Sequence, residues 1–145
     1  MSDILCIYYS RTGNTKKAME EIAEALDAEL LELSDGMDRS GALGALRSGL
    51  AAMRRDCRPL RPFQTQRALG DYKLVIVGTP VWAGRCSSVM RGFLKQHGKK
   101  LRQAAYVVTR GSEEKSEEVY EQMDLYTPCG HAAAVSLRSG SVGYT

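Results

Sequence analysis

Cysteine and histidine are scarce in this 145-residue chain, and their placement excludes several chemistries. The four cysteines, Cys6, Cys57, Cys86 and Cys129, form no Cys-x-x-Cys pair and show no metal-ligand spacing with His97 or His131. Neither a zinc site nor a disulfide framework is encoded, so free thiols are expected. His97 stands in a Gln-His-Gly-Lys stretch after a helix and His131 begins a strand, so neither reads as a general acid or base. Cys86 is a small thiol two residues beyond a candidate ligand loop. No apolar run approaches membrane-spanning length. Met1-Ser2-Asp3 enters the first strand without a basic and apolar leader, which predicts no signal peptide and a cytoplasmic protein. There is no internal repeat or low-complexity tract, and residues 1–145 read as a single domain.

What is present is an ordinary balance of 43% hydrophobic and 26% charged residues, enough for one α/β unit with a real core. Apolar runs and helical stripes alternate strictly. The reading is strand (about 3 to 9), helix (14 to 26), strand (28 to 34), helix (41 to 55), strand (73 to 79), helix (87 to 96), strand (104 to 110), helix (115 to 124) and strand (131 to 137). Such alternation predicts a parallel sheet with right-handed crossovers and helices on both faces.

The most informative stretch joins the first strand to the first helix. Ile4, Leu5, Ile7, Tyr8 and Tyr9 form a buried run, while Ala18, Met19, Ile22, Ala23 and Leu26 recur at helical spacing. Between them stand Ser10, Arg11, Thr12, Gly13, Asn14 and Thr15. Three hydroxyls, a carboxamide and the permissive backbone of Gly13 let donors converge on one anion at the positive end of the helix. The loop lacks the lysine of a Walker A sequence and the three-glycine spacing of a dinucleotide fingerprint. A phosphomonoester fits it. The second loop, Thr79-Pro80-Val81-Trp82-Ala83-Gly84, follows the strand at 73 to 79 and carries the only Trp. At the carboxyl end of a strand, its ring is placed to lie against a planar heterocycle. The third, Thr109-Arg110-Gly111-Ser112, follows the strand at 104 to 110, with Glu113 and Glu114 near the next helix start.

These loops resemble, in order, those of the flavodoxin family. The pattern aliphatic-Tyr-Tyr followed by Ser-x-Thr-Gly-Asn-Thr is similar to the loop that holds the FMN 5′-phosphate, and Thr-Pro-Val-Trp-Ala-Gly is similar to the flavin-contacting loop. The resemblance implies an α/β, flavodoxin-like three-layer sandwich with a five-stranded parallel sheet in the order 2-1-3-4-5. All three loops then meet at the switch point between strands 1 and 3. It further implies FMN as cofactor, with Ser10, Arg11, Thr12, Gly13, Asn14 and Thr15 at the phosphate. Thr79, Pro80, Val81, Trp82, Ala83 and Gly84 would flank the ring, and Thr109, Arg110 and Gly111 would lie on its polar edge.

Three departures stand beside the resemblance. Only residues 138 to 145 follow the last strand, too few for the final helix of a flavodoxin, so the expectation is a sheet face left bare and covered by a second copy in a homodimer. The third loop carries no aromatic to stack on the outer face of the ring; Tyr120 and Tyr126 read as helix packing or surface residues. Arg47, Arg54, Arg55, Arg58, Arg61 and Arg67 surround a single Asp56, within a net charge of +3. A basic face suits an acidic partner or an anionic small molecule, unlike the acidic surface of carrier flavodoxins. Leu43, Leu46, Leu50 and Met53 put an apolar stripe on that helix, with the arginines opposite. No aromatic interleaves with the arginines from 47 to 61, which argues against nucleic-acid binding. The expected function is electron transfer through FMN to a redox partner protein. The alternative is an NAD(P)H-dependent FMN oxidoreductase acting on quinones or similar small acceptors, and a binding module without cofactor is a third reading.

Overall fold

The central apolar runs, at residues 4–8, 74–78 and 104–110, become parallel strands because each is buried on both faces and is followed by a helix that returns the chain to the same end. The computed structural model describes residues 2–34, 60–111, 113–128 and 130–138. The helix expected at 41 to 55, with Arg47, Arg54, Arg55 and Arg58, lies outside them, as do Cys57, Ser112, Cys129 and residues 139–145. In chain order the described elements are β1 (Ile4–Tyr8), α1 (Asn14–Leu26), β2 (Glu29–Glu32), β3 (Leu74–Trp82), β4 (Arg85–Cys86), α2 (Ser88–His97), β5 (Ala104–Arg110), α3 (Glu118–Asp124) and β6 (His131–Arg138). The long strands are parallel in the order β2-β1-β3-β5-β6, and β4 adds an antiparallel pair to the end of β3.

The expected five-stranded order therefore holds for the parallel strands, with one correction. Residues 79–82 are not loop: β3 continues to Trp82, and only Ala83 and Gly84 turn before β4. Both turn residues have positive φ, 51° and 75°, the geometry of a type I′ hairpin that matches strand twist. The last helix also starts later than expected, at Glu118 rather than 115.

Alternation along the central strands divides the core in two. Leu5, Ile7, Val75, Val77, Tyr106 and Val108 face α2 and α3 through Val89, Met90, Phe93, Leu94, Val119 and Met123. Cys6, Tyr8, Ile76 and Val107 face α1 through Ala18, Met19 and Ala23. Gly78 brings α1 close to the sheet, since a Cβ there would stand 2.7 Å from Met19 Cγ and Sδ. β6 is an edge strand whose residues 131–135 are all exposed, Val135 at 41%.

His97 is not a loop residue as expected. It ends α2, and its ring packs against Phe63 and Phe93, with centroids 5.5 and 5.4 Å away. Arg67, from the basic segment, pairs with Asp3 at 3.5 Å. Its backbone N–H donates to Tyr72 Oη at 3.1 Å, and Tyr72 in turn donates to Glu29.

Candidate functional site

β1 and β3 are neighbours whose chain connections leave to opposite sides, so a crevice opens beyond their carboxyl ends. Three segments enter it. After β1, the Gly13 N–H donates to Ser10 Oγ at 3.0 Å, closing the loop on itself. Asn14 Nδ2 donates to Thr12 Oγ1 at 3.3 Å. Gly13, at φ 98°, is the N-cap of α1; its backbone conformation, not lack of space, calls for glycine, because a Cβ would meet nothing within 4 Å. No side chain caps this helix, and its first turn holds no acidic residue. The first-turn amides and the helix dipole thus face the crevice as anion donors.

At the end of β3, Trp82 is 6% exposed and meets Tyr9 edge to face, with centroids 5.5 Å apart and planes at 88°. Its ring is fixed before any ligand arrives. Thr79 lies beneath: its Oγ1 accepts the Ser87 N–H at 2.9 Å, and Ser87 Oγ accepts the Met90 N–H at 3.1 Å as the cap of α2. Gln122 of α3 donates to Gly84 O at 3.3 Å, tying the hairpin turn to a helix. At the end of β5, Thr109 Oγ1 is 2.6 Å from Thr15 Oγ1, a buried hydrogen bond that links β5 to the start of α1. Arg110 is 5% exposed, and its Nε donates to Ser136 Oγ at 2.8 Å.

Together they enclose a cavity of about 170 Å³ lined by Arg11, Thr12, Asn14 and Thr15, by Pro80, Val81 and Trp82, and by Thr109, Arg110 and Gly111. Every described lining residue belongs to one of the three loops read from the sequence. Ser10, Gly13, Thr79, Ala83 and Gly84 are not among them; they brace or shape the loops. A wider opening of about 650 Å³ lies at the other end of the strands, between residues 60–70 and the end of α2. It gathers apolar side chains around His97, and its size does not make it the site: the convergent donors are in the smaller cavity.

No family model matches the chain. It is similar to an NAD(P)H dehydrogenase (quinone) of Paracoccus denitrificans, 30% identical over 108 residues, which is 68% of this chain and 46% of the relative. The chain thus spans less than half the length of that relative. Among solved structures, it is similar to a flavoprotein from Lactobacillus acidophilus in complex with FMN, with a TM-score of 0.76, 23% identity, and coverage of 95% of this chain and 93% of the other. It is also similar to a flavodoxin, WrbA-like protein from Agrobacterium tumefaciens, with a TM-score of 0.56, 18% identity, and coverage of 87% and 71%.

The fold is flavodoxin-like.

In this flavodoxin-like frame burial favours the neutral form of three side chains around the sheet, Cys6, Tyr8 and Tyr120. Burial pushes the Cys6 thiol up to about 11. Burial, with Glu32 and Glu20 adding to it, pushes Tyr8 up to about 12. Burial and then Glu117 raise Tyr120, while Arg110 opposes them. Cys86 is a buried thiol in no disulfide. Among the described residues, no group of three or more His, Cys, Asp or Glu is placed to hold a metal. None of their helices is long and apolar enough to cross a membrane.

Two features escape sequence reasoning. Ser136 anchors Arg110 from β6, 26 residues away, and no local pattern announces such a bond. His131, read from the sequence only as the start of a strand, has Nδ1 2.9 Å from Asp124 Oδ2, and Tyr106 Oη donates to the same carboxylate at 2.7 Å. Both contacts need the sheet to form first.

Proposed function

We propose that this chain binds FMN and transfers electrons through it. The observation that carries the reading is the single cavity into which the hydroxyl-rich loop at the α1 N-terminus, the Trp82 hairpin and the end of β5 all open. The donor set fits the cofactor. Thr12, Asn14, Thr15 and the uncapped first turn of α1 would hold the phosphate, with Arg11 beside them. Pro80, Val81 and Trp82 would flank the ring, and Thr109, Arg110 and Gly111 would meet its polar edge. The cavity, about 170 Å³, is smaller than the roughly 300–1,000 Å³ of pockets that enclose a whole ligand. It suits the phosphate end, with the ring against the rim. The bound flavin supplies the redox chemistry; the protein fixes its position and sets its potential through nearby charge.

Titration of FMN against the purified protein, read by flavin fluorescence quenching, tests this. Saturable quenching by the wild type and at least about tenfold weaker binding by Thr12→Ala/Thr15→Ala is the expected result, equivalent to about 1.4 kcal/mol. Equal affinities overturn the phosphate assignment.

A second reading has its own support: an NAD(P)H-dependent oxidoreductase that reduces quinones or similar small acceptors. The similar Paracoccus denitrificans protein is an NAD(P)H dehydrogenase (quinone). The loop after β5 offers no aromatic to cover the outer face of the ring, which leaves that face to a substrate. Anaerobic addition of NADH or NADPH to the FMN-loaded protein separates the readings. Bleaching of the oxidised flavin band without a second protein makes it the enzyme, and a flavin that stays oxidised makes it a carrier served by a partner reductase. Among the described residues, the buried thiols Cys6 and Cys86 are in no disulfide, which suits a reducing cytoplasm for either role.

A further inference from the structure

We propose that the wider cavity at the amino-terminal end of the strands is a second binding site, one that takes a small aromatic carboxylate. It is independent of the FMN reading. Its volume of about 650 Å³ lies within the roughly 300–1,000 Å³ typical of pockets that enclose a small ligand. β3 holds it away from the crevice: Leu74 begins the strand just after Leu69 and Gly70 of the cavity, and Pro80 of the crevice lies roughly 20 Å further along at the usual strand rise. Among the described residues, the two sites share no lining residue.

The walls are apolar. Leu60, Pro62, Phe63, Ala68 and Leu69 supply them. Leu60, Phe63 and Leu69 pack against the main core yet stay partly exposed, so a ligand seated there would remove apolar surface from water. Phe63 meets the His97 ring edge to face, with centroids 5.5 Å apart and planes at 83°. A wall of this kind suits a planar ring, which gains aromatic contacts beyond the area it buries.

The charge is of one sign. Residues 60–70 and 95–100 carry Arg61, Arg67, Lys95, Lys99 and Lys100 and neither Asp nor Glu. Arg67 pairs with Asp3. Among the described residues no ion pair engages Arg61 or Lys100, and both line the cavity. Lys100 Nζ, which can only donate, stands 3.5 Å from His97 Nδ1; this sets a cation beside the aromatic wall and leaves the proton of the neutral imidazole on Nε2. The carboxyl end of α2 contributes roughly half a negative charge. The exposed Lys95, Lys99 and Lys100 outweigh it. An anion on an apolar body therefore matches the lining, whereas a cation would be repelled and a bare phosphate would leave the apolar walls in water.

The probe is 2-naphthoate, with naphthalene-2-carboxamide as its neutral counterpart, titrated against the whole chain by calorimetry and by NMR. The chain has two histidines and only His97 lines the cavity, so the ring signals report location. Saturable binding of 2-naphthoate with a Kd of about 1 mM or tighter is expected, with the His97 signals shifting and those of His131 unmoved. The carboxamide should bind at least about threefold more weakly. Arg61→Glu/Lys100→Glu changes two exposed positions and leaves the core intact. It should weaken 2-naphthoate at least about tenfold and the carboxamide less than about twofold. Saturating FMN should leave the affinity for 2-naphthoate within about twofold of its value without FMN. Absence of saturable binding overturns the proposal, as does equal affinity for the two probes or a charge-reversed protein that binds 2-naphthoate as the wild type does. Movement of the His131 signals in place of those of His97, or competition with FMN, also overturns it, because the probe then sits elsewhere. A protein that binds 2-naphthoate in this way but not FMN overturns the FMN reading alone.

Discussion

Gly78 illustrates how one residue sets a packing distance. A Cβ at this position would stand 2.7 Å from Met19 Cγ and Sδ and 3.0 Å from Tyr8 Cβ, so the buried Met19 side chain of α1 would have to shift. Gly78→Ala should lower unfolding stability by about 1–3 kcal/mol, the usual cost of overpacking a closed core, measured as a lower urea midpoint. His97 gives a titration effect with a definite sign. Burial among Phe63 and Phe93, and then the charge of Lys100, lower its pKa from the ordinary 6.5. Between the lowered folded value and 6.5 the unfolded chain binds more protons than the native one. The native state is therefore favoured above that window and loses stability as pH falls through it. His97→Phe should reduce the loss of urea stability between about pH 7.5 and pH 5.5 relative to wild type. An equal loss in both proteins would show that the imidazole does not contribute.

At the scale of the element, the β3–β4 hairpin decides where Trp82 stands. Extending β3 to Trp82 places the indole by strand pairing, Val81 opposite Cys86 and Trp82 opposite Arg85, rather than by loop conformation. Ala83 pays a conformational penalty in the turn, because an L-residue with a Cβ is disfavoured at φ 51°. Ala83→Asn should raise stability by about 0.5–1 kcal/mol, since Asn tolerates the left-handed region that a type I′ turn requires. A urea midpoint at or below that of the wild type would contradict the turn assignment. The Thr15 to Thr109 bond is the corresponding link between the α1 start and the end of β5.

For the whole molecule, protection should follow the sheet from centre to edge. β1, β3 and β5 pair on both sides and are buried, whereas β6 pairs only with β5 and exposes residues 131–135. Native-state hydrogen exchange should find the slowest amides in β1, β3 and β5, with β6 exchanging faster and opening at lower free energy. Equal protection of β6 would mean that its exposed side is covered in solution, as the homodimer expected from the sequence would require. The sequence by itself determined the alternation of strands and helices, the parallel direction of the strands and the three loops, while the order of the strands came only with the resemblance of those loops to flavodoxins. These depend on local periodicity, turn chemistry and the rule that ligands meet at a switch point. Only the tertiary structure decided that Thr79 braces α2 while Pro80 to Trp82 face the cavity, that His97 joins an aromatic cluster, and that Ser136 holds Arg110. Each of those is a contact between segments distant in the chain or a choice between two faces of one strand, and local pattern does not specify either until the sheet brings the partners together.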